Sequence, residues 1–373
     1  MPDRSVMRIL HLINHCNYGN GNVHVAVDLA CVQAQLGHQV MVAADGGDYL
    51  ELIASNGVAY ENLTQRHTNP IRLSASVLRL LQICRSFKPD IIHAHMMAGA
   101  AFGKVASLLF RIPLVTTVHN SFDRHSVLMQ LGDKVVAVSK AERALLVERG
   151  ANPKKVEVVS NGPNGSPREG RFASIDPEIL ERIRPPFITT VCGLHRRKGV
   201  HDLISGFAEI APVFPEWKLY IVGDGPDRQA LVELSKNLHL DTRVIFLGYV
   251  KEPREVLNKA DIFVLASYAE PFGLATAEAR SAGCAIVATE VGGTSELLDF
   301  GNAGLLVKPE SPKEIAAALS KLMSDPATLQ EYKARSKRGS EYYRINRVVE
   351  DYDRVYASLL ADVNSNKHHS SLR

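Results

Sequence analysis

The feature that most constrains the fold is an alternation, run through twice, of short apolar runs with longer helical patterns. MRILHLI (7–13), QVMVAA (39–44), DIIHAH (90–95), PLVTTVH (113–119), KVVAVS (134–139) and VEVVSNG (156–162) have strand length. Helix-period segments stand between them, such as 23–36, where Val23, Val27, Ala30 and Ala34 share a face and Gly37 ends the pattern. Strands alternating with helices pair in parallel through right-handed crossovers. Near-continuous apolar strands suit a sheet covered on both faces.

Residues 163–186 interrupt the rhythm with Pro163, Gly165, Pro167, Gly170, Pro177, Pro185 and Pro186. The alternation then restarts with FITTVCG (187–193), KLYIVGDG (218–225), VIFLGYV (244–250), IFVLAS (262–267), AIVATEVGG (285–293) and GLLVKP (304–309). Helical patterns over 312–324, 327–339 and about 347–361 close the chain. The expectation is an α/β protein of two Rossmann-like, doubly wound domains, 1–165 and 187–346, joined by a linker at 166–186. The length of 373 residues suits two cores better than one.

Net charge is only +3 and the basic residues are dispersed, so nothing demands nucleic acid as a partner. Five scattered cysteines without a C-x-x-C pair argue against a zinc ribbon or a disulfide framework, and fit a reducing, cytoplasmic compartment. The apolar part of the amino terminus is strand-length, so no signal peptide is expected, and no run reaches membrane-spanning length. A helix over 73–87, with Arg72, Arg79, Arg85 and Lys88 beside apolar residues, offers peripheral contact with an anionic membrane. An ordinary amphipathic helix packed on the sheet has the same pattern.

Ligands of open parallel sheets bind beyond the carboxyl ends of the strands, and the unusual residues fall there. Glu270-Pro-Phe-Gly-Leu-Ala-Thr-Ala-Glu278 follows strand 262–267. The main-chain N–H groups of Phe272, Gly273 and Leu274 open a helix and suit an anion. The flanking carboxylates suit vicinal sugar hydroxyls. Gly193-Leu-His-Arg-Arg-Lys-Gly199 brings Arg196, Arg197 and Lys198 to a second strand end, where cations neutralise a diphosphate. Gly292-Gly293-Thr294-Ser295 leads into a third helix. In the first half, Gly19-Asn20-Gly21-Asn22 opens a helix, but His24 occupies the third glycine of a dinucleotide fingerprint. His119 ends a strand, where it can bond a reacting sugar or move a proton. His93 and His95 share a face, but no third ligand is evident and no metal site is expected.

These motifs resemble the retaining glycosyltransferases of family 4, in the GT-B superfamily. The resemblance runs over nearly the whole chain. It rests on Glu270-x7-Glu278 with PFG between the acids, LHRRKG (194–199), VGDGP (222–226), FLGYV (246–250), EVGGTSE (290–296), VSNG (159–162) and the GNGN loop. It implies two domains facing across a cleft, with the last helix returning to the first domain. It further implies Glu278 on the nucleotide ribose, and Glu270 with the backbone of Phe272 to Leu274 on the transferred sugar and phosphates. Lys198, with Arg196 or Arg197, falls on the diphosphate, and Gly193 and Gly225 count among the donor-binding residues. Gly248, Tyr249 and Val250 fall beside the base, and His119 and Gly21 close over donor and acceptor. The implied partners are a UDP- or GDP-sugar donor and a glycan, lipid-linked or small-molecule acceptor, with no cofactor or metal required. The chain departs from the family pattern at Cys192-Gly193-Leu194, where Gly-Arg-Leu is usual, and at Asn20-Gly21 and Val23-His24, where Gly-Gly and Glu-Arg are usual. On the same architecture, a nucleotide-sugar epimerase, a metal hydrolase built on His93 and His95, or a non-catalytic nucleotide-sugar sensor are the competing readings.

Overall fold

The computed structural model describes residues 6–66, 69–171 and 183–370. The chain divides into two compact units, Met1–Arg168 with Ile345–Arg373, and Glu169–Arg344. Of the expected linker 166–186, residues 172–182 lie outside the described residues.

The first unit runs β1 (Arg8–Leu12), α1 (Gly21–Gln35), β2 (Gln39–Ala44), α2 (Leu50–Ser55), β3 (Ala59–Asn62), α3 (Pro70–Phe87), β4 (Ile91–Ala94), α4 (Met97–Phe110), β5 (Leu114–Val118), β6 (Lys134–Ala137), α5 (Lys140–Glu148) and β7 (Val156–Val158). Its strands form one parallel sheet, ordered β3-β2-β1-β4-β5-β6-β7. Two elements, α2 and β3, have no counterpart in the sequence reading. Both are short, and AYEN at the sheet edge carries no apolar run to announce a strand.

The second unit runs β8 (Phe187–Val191), α6 (Val200–Ile210), β9 (Lys218–Val222), α7 (Arg228–Asn237), β10 (Val244–Gly248), α8 (Arg254–Leu257), β11 (Ile262–Leu265), α9 (Leu274–Ala282), β12 (Ala285–Thr289), α10 (Thr294–Leu297), β13 (Leu305–Val307), α11 (Pro312–Met323) and α12 (Pro326–Lys337). Its sheet is also parallel, ordered β10-β9-β8-β11-β12-β13. Each unit is therefore Rossmann-like. Strand order reverses between β1 and β4 in the first unit and between β8 and β11 in the second.

The last helix, α13 (Ile345–Ser370), belongs to the first unit. Its Val348, Val349, Tyr352 and Tyr356 are fully buried with Ile9, Ile91, Val115 and Val136 of the sheet and Leu29 of α1. Each such side chain contributes roughly 1.5–3 kcal/mol when fully buried. Arg168, at the end of the first pass through this unit, is tied to α1. Its Nε and Nη2 donate to the two oxygens of buried Asp28 at 2.9 and 2.8 Å, and Ser166 Oγ donates to Asp28 at 2.7 Å.

Candidate active site

The second unit gathers most of the expected site residues at its topological switch point. The loop after β8 carries Arg196, Arg197 and Lys198, and the loop after β11 carries Ser267 to Gly273. Lys198 Nζ donates to Glu270 Oε2 at 2.6 Å, and Ser267 Oγ approaches the same oxygen at 3.4 Å. The two loops are also laced through their backbones. Tyr268 N donates to Arg197 O at 2.8 Å, and Arg197 Nη1 donates to Ala269 O at 2.8 Å. Tyr268 is fixed in turn, its hydroxyl donating to Asp202 Oδ2 at 2.7 Å and lying 2.6 Å from His201 Nε2. Thus Arg197 braces the loop, whereas Arg196 beside it is exposed.

Backbone approach accounts for one glycine of this site in particular. Gly292, at φ 51°, would place a Cβ 2.1 Å from the carbonyl oxygen of Glu270. Gly293 N donates to that same oxygen at 3.1 Å, so the turn after β12 is seated on the Glu270 backbone. Gly273, at φ 96°, starts α9 with no side-chain cap. Thr276 N is bonded to Gly273 O at 3.0 Å, and no side chain caps the amides of Leu274 and Ala275, which lie at the positive end of the helix dipole. Phe272 anchors the turn from behind, buried edge-on against Tyr343 with ring centroids 5.8 Å apart. The hydroxyls of Thr276 and Thr294, in the first turns of α9 and α10, are buried with no hydrogen-bond partner among the described residues.

Glu278 stands one turn into α9, as expected, but sequence reasoning missed its neighbour. Arg254 Nη2 lies 3.5 Å from Glu278 Oε1, and its other nitrogens reach Glu169 at 2.6 Å and Glu252 at 3.8 Å. One guanidinium thus holds three carboxylates in place. The remaining expected residues close the rim of the same sheet. Gly225 packs on the β8 loop, where an added Cβ would meet Leu194 O at 2.5 Å. Gly248 O accepts from Gly223 N at 2.7 Å. Gly193 and Tyr249 are exposed, with Val250 beside them half-buried. Burial pushes the Cys192 thiol up to about 11, which makes it a poor nucleophile.

In the first unit, Gly21 is the first residue of α1, whose cap is Asn20 Oδ1 accepting from Asn22 N at 3.0 Å. His119 follows β5 and is 8% exposed. Here the structure corrects the sequence reading, which found no third histidine beside His93 and His95. His11 of β1 lies opposite His93 of β4 in the sheet register, and one ring nitrogen from each of His11, His93 and His95 falls within 4.8 Å of the others. Strand order, which the sequence does not display, brings them together.

All six ring nitrogens of that trio are nevertheless engaged. His11 Nε2 meets Gln33 Oε1 at 2.7 Å and His11 Nδ1 meets His95 Nε2 at 2.9 Å. His95 Nδ1 meets His119 Nε2 at 3.2 Å. His93 Nε2 meets Thr117 Oγ1, and His93 Nδ1 meets the Tyr356 hydroxyl, each at 2.7 Å. A metal would have to break these bonds, so the cluster reads as a hydrogen-bonded network. Burial pushes His11 and His119 down to about 4, the bond to Gln33 partly opposing it at His11. Burial, then repulsion from the neighbouring imidazoles, drives His93 and His95 well below the ordinary value. His24 falls to about 3 through burial and the Arg168 charge.

Residues 19–164 match the model of glycosyltransferase family 4, and residues 173–339 match that of glycosyl transferases group 1. Glycogen synthase of Mycobacterium tuberculosis is 28% identical over 296 residues, covering 74% of this chain and 68% of the relative. D-inositol 3-phosphate glycosyltransferase of Rhodococcus jostii is 27% identical over 394 residues, covering 94% and 86%. Among solved structures, HepE of Anabaena in complex with UDP and glucose superposes with a TM-score of 0.80 at 22% identity, covering 94% of this chain and 100% of that one. Two Rossmann-like units of the GT-B fold, each matched by its own model, establish that this chain belongs to the family 4 glycosyltransferases.

Proposed function

We propose that the protein is a retaining glycosyltransferase that moves a sugar from a UDP- or GDP-sugar to a glycan, lipid-linked or small-molecule acceptor, in cell-surface polysaccharide or glycoconjugate formation. The observation that carries this reading is Lys198 paired with Glu270 immediately before the uncapped amino terminus of α9, at the switch point of the second sheet. A cation and a helix terminus stabilise the charge that builds on a departing nucleoside diphosphate. Arg196, exposed beside Lys198, supplies a second cation. Glu278, steadied by Arg254, takes the ribose diol, and Glu270 takes hydroxyls of the transferred sugar. The resemblance has His119 and Gly21 close over donor and acceptor. No carboxylate stands out as a covalent nucleophile. Same-face attack, with the leaving phosphate accepting the acceptor's proton, is the route this site supports. Lys198 and the α9 amides supply the positive charge, so transfer is expected to persist in the presence of a chelator. The structure of HepE with UDP and glucose supports a uridine nucleotide as the first candidate.

The test is a calorimetric screen against UDP, GDP, ADP and their sugars. Transfer is then followed by NMR with the donor that binds. A product with the donor's anomeric configuration supports the proposal. An inverted product overturns it, as does a new epimer formed from donor alone.

A further inference from the structure

The histidine network holds an ordered set of protons that follows from one side chain. Gln33 of α1 is fully buried, and its carboxamide faces two ways. Oε1 points at His11 Nε2 at 2.7 Å, and Nε2 donates to the Tyr356 hydroxyl at 3.4 Å. A carbonyl oxygen only accepts, so His11 carries its proton on Nε2. A neutral imidazole has one N–H, so His11 Nδ1 is a lone pair and takes the Nε2 proton of His95 at 2.9 Å. By the same rule His95 Nδ1 takes the Nε2 proton of His119 at 3.2 Å. His119 Nδ1 ends the row as a lone pair, buried and without a hydrogen-bond partner among the described residues. The rings are laid for this: His11 and His95 stack at 26° and His95 and His119 at 19°.

The other branch balances too. Tyr356 accepts from Gln33 and gives its proton to His93 Nδ1, and His93 Nε2 donates to Thr117 Oγ1, which meets the Tyr352 hydroxyl at 2.8 Å. Turning the carboxamide over would reverse every bond of the row and leave an N–H on His119 Nδ1 with nothing to receive it. Buried orphan donors are rarer than buried bare acceptors.

We propose that Gln33, His11 and His95 are positioning residues that fix the tautomer of His119, so that its Nδ1 stays unprotonated and accepts a hydrogen bond from a hydroxyl of the sugar. The half concerning sugar rests on the function proposed above, whereas the half concerning the tautomer does not. A sugar lacking that hydroxyl, or presenting an ether there, leaves the lone pair unpaired and is discriminated against.

The test is a long-range nitrogen–proton NMR spectrum of the histidine rings in the ligand-free protein at pH 7.5, with His119 assigned by the signals lost in His119→Gln. Expected are an unprotonated Nδ1 and a protonated Nε2 at His119, together with a mixed or inverted tautomer in Gln33→Met. An N–H on Nδ1 in the wild type overturns the proposal, and that spectrum decides it even where Gln33→Met does not fold. A His119 tautomer unchanged in folded Gln33→Met overturns the role of Gln33. In transfer assays, Gln33→Met is expected to lower kcat by about tenfold, the effect of one hydrogen bond, with UDP affinity unchanged. An altered tautomer with unaltered kcat removes the link to sugar. A wild type with the expected tautomer but no glycosyl transfer overturns the proposed function and leaves the row standing.

Discussion

Lys198 Nζ and Glu270 Oε2, contributed by loops after β8 and β11, meet at 2.6 Å on neighbouring strands of one sheet. In the proposed function this pair joins the cation for the diphosphate to the carboxylate for the sugar. Lys198→Ala is expected to lower kcat by roughly 10²–10³-fold, the scale of removing one preorganised charge stabiliser. Stopped assays at saturating donor check this. A rate within twofold of wild type would remove Lys198 from the mechanism.

Glu278→Ala is expected to weaken nucleotide binding by about ten- to a hundredfold, the range for hydrogen bonds to a charged group. Arg254→Ala should weaken it less, because it only orients the acid. Calorimetry with the preferred nucleotide ranks the two variants, and the reverse order would reassign the ribose contact.

The buried histidines make stability depend on pH. His11 and His119 titrate near 4 and His24 near 3 in the folded chain, against 6.5 when unfolded. Between about 6.5 and 4 the unfolded chain binds more protons than the folded one, so stability is complete above 6.5 and falls with acid. Each such histidine contributes a slope of up to roughly 1.4 kcal/mol per pH unit. Urea melts at pH 7.5, 6 and 5 should show a progressive loss, and flat midpoints would show that these imidazoles are solvated.

Asp28 and Arg168 are buried together with two bonds between them. Removing either partner strands a charge, so Asp28→Ala is expected to destabilise by about 3–5 kcal/mol. The double change Asp28→Leu with Arg168→Met should recover much of that loss. Denaturant titration of these two variants beside the wild type tests the pairing.

Helix α3 exposes Ile71 and Leu78 beside Arg72, Arg79 and Arg85. Among the described residues no helix is long and apolar enough to cross a membrane. Co-sedimentation with vesicles rich in phosphatidylglycerol is expected, weakened by the double change Arg72→Glu with Arg79→Glu. Equal recovery of both proteins in the supernatant would assign α3 to packing alone.

The legible parts of the fold and the site were the local ones. Strand-length apolar runs showed every strand but β3, whose AYEN has neither apolar run nor alternation. Glu270, Gly273 and Glu278 lie within one strand–loop–helix passage, so their placement is legible from local spacing. Arg254 was hidden because it reaches Glu278 from another helix, and Gln33 and His11 because only strand order and helix packing bring them to His95 and His119. Long-range register has no signature in a single chain.

Because α13 roofs the first sheet, that domain is assembled from both ends of the chain with the other domain threaded between. On the ribosome, the sheet of residues 8–158 emerges with the apolar face that Val349 and Tyr352 will cover still bare. The second unit, by contrast, is one continuous stretch, Glu169–Arg344. Until residues 345–359 are made, the sheet face packed by Val349 and Tyr352 has no cover.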